Sequence, residues 1–321
     1  DSIGLYSNGL DLYTFRNQKL NQDTLGAINY KDKNCIFWKS NTLQGCIILP
    51  IDSFLYVLTV SGFKTNLGLR YSKLGYSADS IWMIAENQRV TDSTWVIGEQ
   101  LTATRHANGK DWWLIIQDSI NCKISCLLSN NEIKIILKQD CKFEIDRKGL
   151  AFSAISNNGK YFAIRNYAKS GIEFFDFNRK TGKLSYKRNI DTNPGYHIAF
   201  DPNEEFIYWS GLNSNNFLSL FKFSIPNFHK VDSILFRTPY GLSFFDNDVY
   251  VTTDWRGGVS GFGGSSGSNC NLFYHNDSTR IYRIKPDFFL EKVILPVGKV
   301  TMGLPNHANY LLGPELSCGF V

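Results

Sequence analysis

The sequence predicts an all-β chain folded as a β-propeller of four-stranded antiparallel blades, and three observations carry that prediction. The first is composition: Phe 24, Tyr 16 and Trp 7 against Met 2 in 321 residues favour pleated, half-buried strands over packed helices. The second is that no stretch of a dozen residues keeps a helical hydrophobic period. The third is repetition. An apolar strand, a short polar turn and a strongly aromatic strand recur, and the turn residues Ser156, Asp201 and Asp246 return about every 45 residues, the length of one four-stranded blade.

The most complete unit spans residues 149–190. Its strands fall at 150–154, 161–165, 171–177 and 183–190, joined by turns at 156–160 and 178–182. Echoes of its first hairpin lie at 199–209, 242–251 and 102–116, with a more degenerate one at 47–58. Asn-Gly and Asp-Pro in these turns supply the dihedrals that tight hairpins need. Third strands are expected at 122–128, 218–223 and 279–284, with partners at 132–137, 230–236 and 290–295. Residues 3–7 and 10–15 form a hairpin around Asn8-Gly9 that lacks a preceding strand, and the segment 302–312 lacks following ones. Joining the two would close a ring of six blades, or of seven if 27–42 belongs to a further blade. The whole chain, 1–321, then forms a single propeller domain.

Composition also excludes function classes. A content of 43% hydrophobic residues rules out intrinsic disorder. The net charge of +5 is scattered, without basic runs interleaved with aromatics, so no nucleic-acid partner is expected. No apolar run approaches the ~20 residues of a transmembrane helix. The chain begins Asp1-Ser2-Ile3 without a Met, as a processed form would.

Cysteines stand at 35, 46, 122, 126, 141, 270 and 318. Cys122 and Cys141 lie at opposite ends of an expected hairpin turning near Asn130-Asn131, where a disulfide is geometrically accessible. Cys270 with Cys318, and Cys35 with Cys46, are further candidate pairs. Buried free thiols are the alternative reading, and the odd count leaves at least one cysteine unpaired within the chain.

Catalytic signals are weak. His106 near Asp111 suggests a dyad, but the repeat places it in a turn, where a capping role accounts for it. Trp112 and Trp113 should point to opposite faces of one strand. His197 and His307 fall in or near inner strands and read as satisfied core histidines. An axial calcium site of the kind lactonase propellers use would draw on Asp254, Asn166 and Asn306, which are too varied in type to define one. The Gly/Ser-rich stretch from Gly257 to Ser268 lacks the strand-loop-helix setting of a phosphate cradle. The expectation is therefore no catalytic residue, no metal, no cofactor and no enzymatic activity. The pattern breaks only at 254–278, a Gly/Ser-rich stretch that reads either as a flexible insertion or as a partner-binding loop carrying Asp254, Trp255, Arg256, Phe262 and Asn269.

Several motifs together resemble a known family. Leu5-Tyr6-Ser7-Asn8-Gly9 followed by Leu12-Tyr13-Thr14-Phe15-Arg16-Asn17 is similar to the start of secreted WD40-like, YVTN-like β-propeller proteins of Bacteroidetes. Gln44 to Pro50, Leu101 to Trp113, Pro239-Tyr240-Gly241-Leu242 and Met302-Gly303-Leu304-Pro305-Asn306 match further family motifs in the same order. The resemblance implies export by the type IX secretion route to an extracellular, cell-surface location, and it implies no known reaction. Asp-Ser pairs followed by an apolar residue or Thr resemble the O-glycosylation signal of that phylum, with Ser80, Ser93, Ser119, Ser233 and Ser278 as acceptors. The expected function is a non-catalytic surface subunit for structure, adhesion or assembly. Its partners would be other surface proteins, further copies of itself, or glycans. An axial-metal, lactonase-like hydrolase and a carbohydrate-binding module are the alternatives.

Overall fold

The computed structural model describes residues 46–60, 68–91, 97, 100–118, 123–129, 133–140, 151–166, 171–193, 195–215, 218–235, 239–245, 248–253, 280–284 and 290–293, with short pieces at 5–7, 12–14 and 18–20. Every regular element among them is a β-strand. After a hairpin of β1 (Leu5–Ser7) and β2 (Leu12–Thr14) come five antiparallel sheets of four strands each, in sequence order. The first holds β3 (Cys46–Ile51), β4 (Phe54–Val60), β5 (Leu69–Tyr76) and β6 (Ile81–Arg89). The second holds β7 (Thr102–Arg105), β8 (Trp112–Asp118), β9 (Lys123–Ser129) and β10 (Ile133–Asp140). The third holds β11 (Ala151–Ile155), β12 (Tyr161–Asn166), β13 (Ile172–Phe177) and β14 (Leu184–Ile190). The fourth holds β15 (Gly195–Phe200), β16 (Phe206–Leu212), β17 (Leu218–Ser224) and β18 (Lys230–Leu235). The fifth holds β19 (Pro239–Phe245), β20 (Asp248–Thr253), β21 (Arg280–Ile284) and β22 (Leu290–Val293).

The repeat seen in the sequence is realised bond for bond at its turns. Ser156 Oγ accepts the Tyr161 N–H at 2.9 Å, and Asp201 Oδ1 accepts the Phe206 N–H at 2.6 Å, five residues on in each case. Gly109, Gly159 and Glu204, each three residues into its turn, share positive φ of 72°, 74° and 59°. The second turn begins with His106, whose N–H donates to Asp111 O just as Ser156 N–H donates to Tyr161 O. Two strands of the first sheet, β5 and β6, were not foreseen. Polar residues interleave their apolar ones (Arg-Tyr-Ser-Lys in β5) and mask the strand signal.

Successive sheets pack face to face, as propeller blades do, and the two-residue period decides what enters each seam. Trp112 and Leu114 join Ile47, Leu49 and Leu58 between the first and second sheets, whereas Trp113 and Ile115 join Phe162, Phe175 and Phe177 between the second and third. Phe152, Ala163 and Phe174 meet Ile198, Ile207 and Trp209 between the third and fourth. Ala199, Tyr208 and Leu220 meet Val249 and Ile284 between the fourth and fifth. The other face of the first sheet is covered in part by Leu20. Each fully buried large side chain in these seams, such as Trp112 or Phe162, contributes about 1.5–3 kcal/mol. The first strands β7, β11, β15 and β19 lie next to one another along the inner edge of the stack. No helix among the described residues is long and apolar enough to cross a membrane.

Cys46 carries a free thiol among the described residues, and its candidate partner Cys35 lies outside them. It lies on β3 opposite Thr59 and packs against the cluster of Val57, Leu74 and Ile81, and burial pushes its thiol up to about 12. Cys35, Cys122, Cys141, Cys270 and Cys318 lie outside the described residues.

Candidate functional site

The seam between the third and fourth sheets gathers polar groups that the fold leaves without partners. β12 is apolar on both faces along most of its length, and Ala163 faces the fourth sheet. Two residues on, the same face carries Arg165, so the strand drives a guanidinium into the end of an apolar seam. Arg165 is 0% exposed. Its Nη1 donates to Thr192 Oγ1 at 2.7 Å, its Nη2 donates to the Asn193 carbonyl, and its Nε has no partner. The guanidinium lies 4.6 Å from the ring centroid of Trp209, a cation–π contact, and Trp209 stacks its other side on Phe221 at 4.3 Å and 17°. The indole Nε1 is also unpartnered.

Glycines make room for that indole. A Cβ added at Gly211 would fall within the ring of Trp209, and one at Gly195 would meet the Ser210 carbonyl and the indole nitrogen. Between Gly195 and Ile198 the β15–β16 ladder slips by a bulge, and Ser210 Oγ accepts the His197 N–H at 3.0 Å there. A bulge re-aims side chains, and the His197 ring comes to rest 4.5 Å from that of Phe152, the cross-strand partner of Arg165. His197 Nε2 is buried without a partner.

Burial sets the electrostatics. Desolvation alone brings His197 down to about 3, so its imidazole is neutral at physiological pH, and brings Arg165 down to about 9, which leaves it charged. No carboxylate contributes to either shift. A desolvated cation without a countercharge costs several kcal/mol. The seam is thus a positive site with three unused nitrogen positions.

Elsewhere the described inner edge is polar and mostly paired, although Gln100 Oε1 keeps no partner. Thr102 Oγ1 and Ser153 Oγ share a hydrogen bond of 2.5 Å, and Gln100 Nε2 donates to Gln117 Oε1 at 2.9 Å. No three His, Cys, Asp or Glu side chains converge among the described residues. Asn166 ends β12 with its side chain undescribed, and Asp254, Asn306 and His307 lie outside the described residues. So do Trp255, Arg256, Phe262 and Asn269, the rest of the expected partner-binding loop, and the acceptors Ser93, Ser119 and Ser278. Ser80 and Ser233 are exposed, the first in the turn before β6 and the second on the outer strand β18.

His106 forms no dyad. Its Nδ1 accepts the Asn108 N–H at 3.1 Å and its Nε2 donates to the Lys180 carbonyl at 3.1 Å, while the Asp111 carboxylate is taken by Asn108 Nδ2 at 2.6 Å. His197 is a core histidine as expected, but it is not satisfied. The cluster around it was missed because an arginine and a histidine 32 residues apart share no sequence spacing. The available signal was Arg165 itself, a charge in register with the core-facing Ala163.

No known family pattern matches the chain, and no curated protein matches it. Solved structures do. One from Bacteroides uniformis, provisionally assigned as a 6-phosphogluconolactonase, is 13% identical with a TM-score of 0.49, over 90% of this chain and 93% of that one. A second with the same provisional assignment, from Bacteroides fragilis, is 12% identical with a TM-score of 0.45, over 91% and 92% of the two chains. A protein from Lactobacillus plantarum is 10% identical with a TM-score of 0.48, over 91% and 80%. The presence of two provisional lactonases among these corrects the expectation that the chain is not an enzyme: chains of similar fold are assigned catalysis. At these identities neither the reaction nor the substrate transfers.

Proposed function

We propose that this chain is a secreted, cell-surface β-propeller of six blades that recognises a small ligand at the seam between its third and fourth sheets. The observation that carries the reading is the unmet hydrogen-bonding capacity of Arg165, His197 and Trp209 at one end of the inner strands. Buried polar groups in folded proteins are nearly always paired, so a cluster of unpaired ones marks a place where a partner belongs. A protein or glycan partner would draw further contacts from the 254–279 connection, which lies outside the described residues. Secretion accords with exposed Asp-Ser pairs at 79–80 and 232–233, and the hairpin β1–β2 would be completed into the sixth blade by the C-terminal segment.

Lactone hydrolysis is the second reading. Its specific support is a neutral imidazole with an unpartnered Nε2 against Phe152, whose cross-strand partner is Arg165; an imidazole and a guanidinium are the groups that general-base attack with oxyanion stabilisation would use. A conjugate-acid value of about 3 makes His197 a weak base, which is why this reading stands second. The test of the first is a thermal-shift screen of the full chain against neutral sugars, sugar acids, sugar phosphates and lactones, run beside Arg165→Met. Ligand-dependent stabilisation that the variant loses supports recognition at the seam, and stabilisation identical in the variant places recognition elsewhere. Turnover of a lactone that depends on His197 would move the second reading ahead of the first.

A further inference from the structure

We infer that the ligand group taken by this seam is an oxyanion, a carboxylate or a phosphate, held against Arg165, Trp209 and His197. The inference rests on the recognition reading above and gives it a chemical class. The unused positions are an Arg165 Nε–H, a Trp209 Nε1–H and the His197 Nε2, which donates in one tautomer. Two of the three are obligate donors, and no described side chain offers them an acceptor. Among the described residues Arg165 is the only formal charge in the cluster, and it has a hydroxyl and a carbonyl, both neutral, as its partners. A neutral ligand could take the hydrogen bonds but would leave the buried charge uncompensated, whereas an oxyanion supplies both.

Asn193, whose carbonyl accepts from Arg165 Nη2, is exposed, so the buried guanidinium bonds a surface residue. The glycines at 195 and 211 leave room for the indole, since a Cβ at either would meet it. Hydrogen bonding by a planar fork explains why an arginine stands here, where a lysine would present a point charge.

The experiment titrates the full-length chain with inorganic phosphate, with acetate and with gluconate, at constant ionic strength set by a chloride salt, and follows both melting temperature and heat of binding. Neutral glucose serves as the uncharged control. Saturable binding of phosphate or of the carboxylates is expected, weakened about 10- to 100-fold in Arg165→Met and by a smaller factor in Trp209→Phe, which keeps the ring and loses the donor. The stronger of the phosphate and carboxylate arms identifies the oxyanion. A melting temperature that rises equally in the parent and in Arg165→Met reports general salt exclusion and overturns the inference. Absence of any anion-dependent change also overturns it. If glucose binds at the seam and the anions do not, the recognition reading survives and the oxyanion inference fails. Should Arg165→Met not fold, Trp209→Phe decides, because equal affinity for the anion with and without the indole N–H removes the site as drawn.

Discussion

Two seams of this molecule hold the same three residue types and treat them oppositely. Between the second and third sheets, Trp113, Arg179 and His106 meet at the turn end of the strands. Trp113 Nε1 donates to the Arg179 carbonyl at 2.6 Å, Arg179 Nε donates to the Arg105 carbonyl at 2.9 Å, and both nitrogens of His106 are bonded. Between the third and fourth sheets, at the opposite end, Trp209, Arg165 and His197 each keep a buried polar atom without a partner. The first trio is a staple: it converts side-chain polarity into stability by capping turn carbonyls of the neighbouring sheet. The second costs stability where it stands. The difference teaches that residue type does not separate a structural cluster from a binding one, and that hydrogen-bond satisfaction does.

The largest contrast is expected in acid. His197 has a folded value of about 3 against an ordinary 6.5, lowered by burial. The unfolded chain therefore binds the extra proton first, and stability that is whole above pH 6.5 falls as pH drops toward 3, at up to about 1.4 kcal/mol per pH unit. His197→Phe should flatten that limb in denaturant melts taken across this range. An unchanged slope would mean that the ring is not desolvated.

Arginine truncation comes next. Arg179→Met removes two hydrogen bonds from a charged donor, to the carbonyls of Arg105 and His106, and should cost about 2–3 kcal/mol in urea unfolding. Arg165→Met removes an uncompensated buried charge and should leave stability within about 1 kcal/mol of the parent or raise it. Equal losses in the two variants would erase the distinction between the seams.

Smaller effects sharpen it. Gly211→Ala places a methyl group where the Trp209 indole lies, and overpacking of this kind costs about 1–3 kcal/mol; a substitution without effect would show that the indole is free to move. Trp113→Phe forfeits a buried hydrogen bond and should cost about 1 kcal/mol through it, whereas Trp209→Phe forfeits none. The comparison of the two in one chemical-denaturation series is the finest test, because ring burial is matched.

Much of the scaffold was legible in the sequence because its signals are local. The apolar strands at 151–155, 161–164 and 172–177 stand out against the polar turn between the first two, and Ser156 and Asp201 close their turns through bonds that span five residues. His106 was placed as a turn residue by the same local logic. The first sheet's outer strands escaped notice because a strand with one wet face and polar interruptions carries little hydrophobic period. The candidate site escaped for a different reason. Arg165 and His197 each look ordinary in their own strand, and the loop at 254–278, which attracted attention by breaking the repeat, lies outside the described residues.

The sequence by itself therefore determined most of the strands and turns, β5 and β6 excepted, since side-chain period and turn dihedrals act over a few neighbouring residues. Tertiary structure alone decided which polar groups end up satisfied. Whether the Arg165 guanidinium finds a partner depends on what the next sheet sets against it. What it finds there is an indole, a threonine hydroxyl, a backbone carbonyl and, among the described residues, no carboxylate. Desolvation is a property of the assembled seam, and no residue carries it alone.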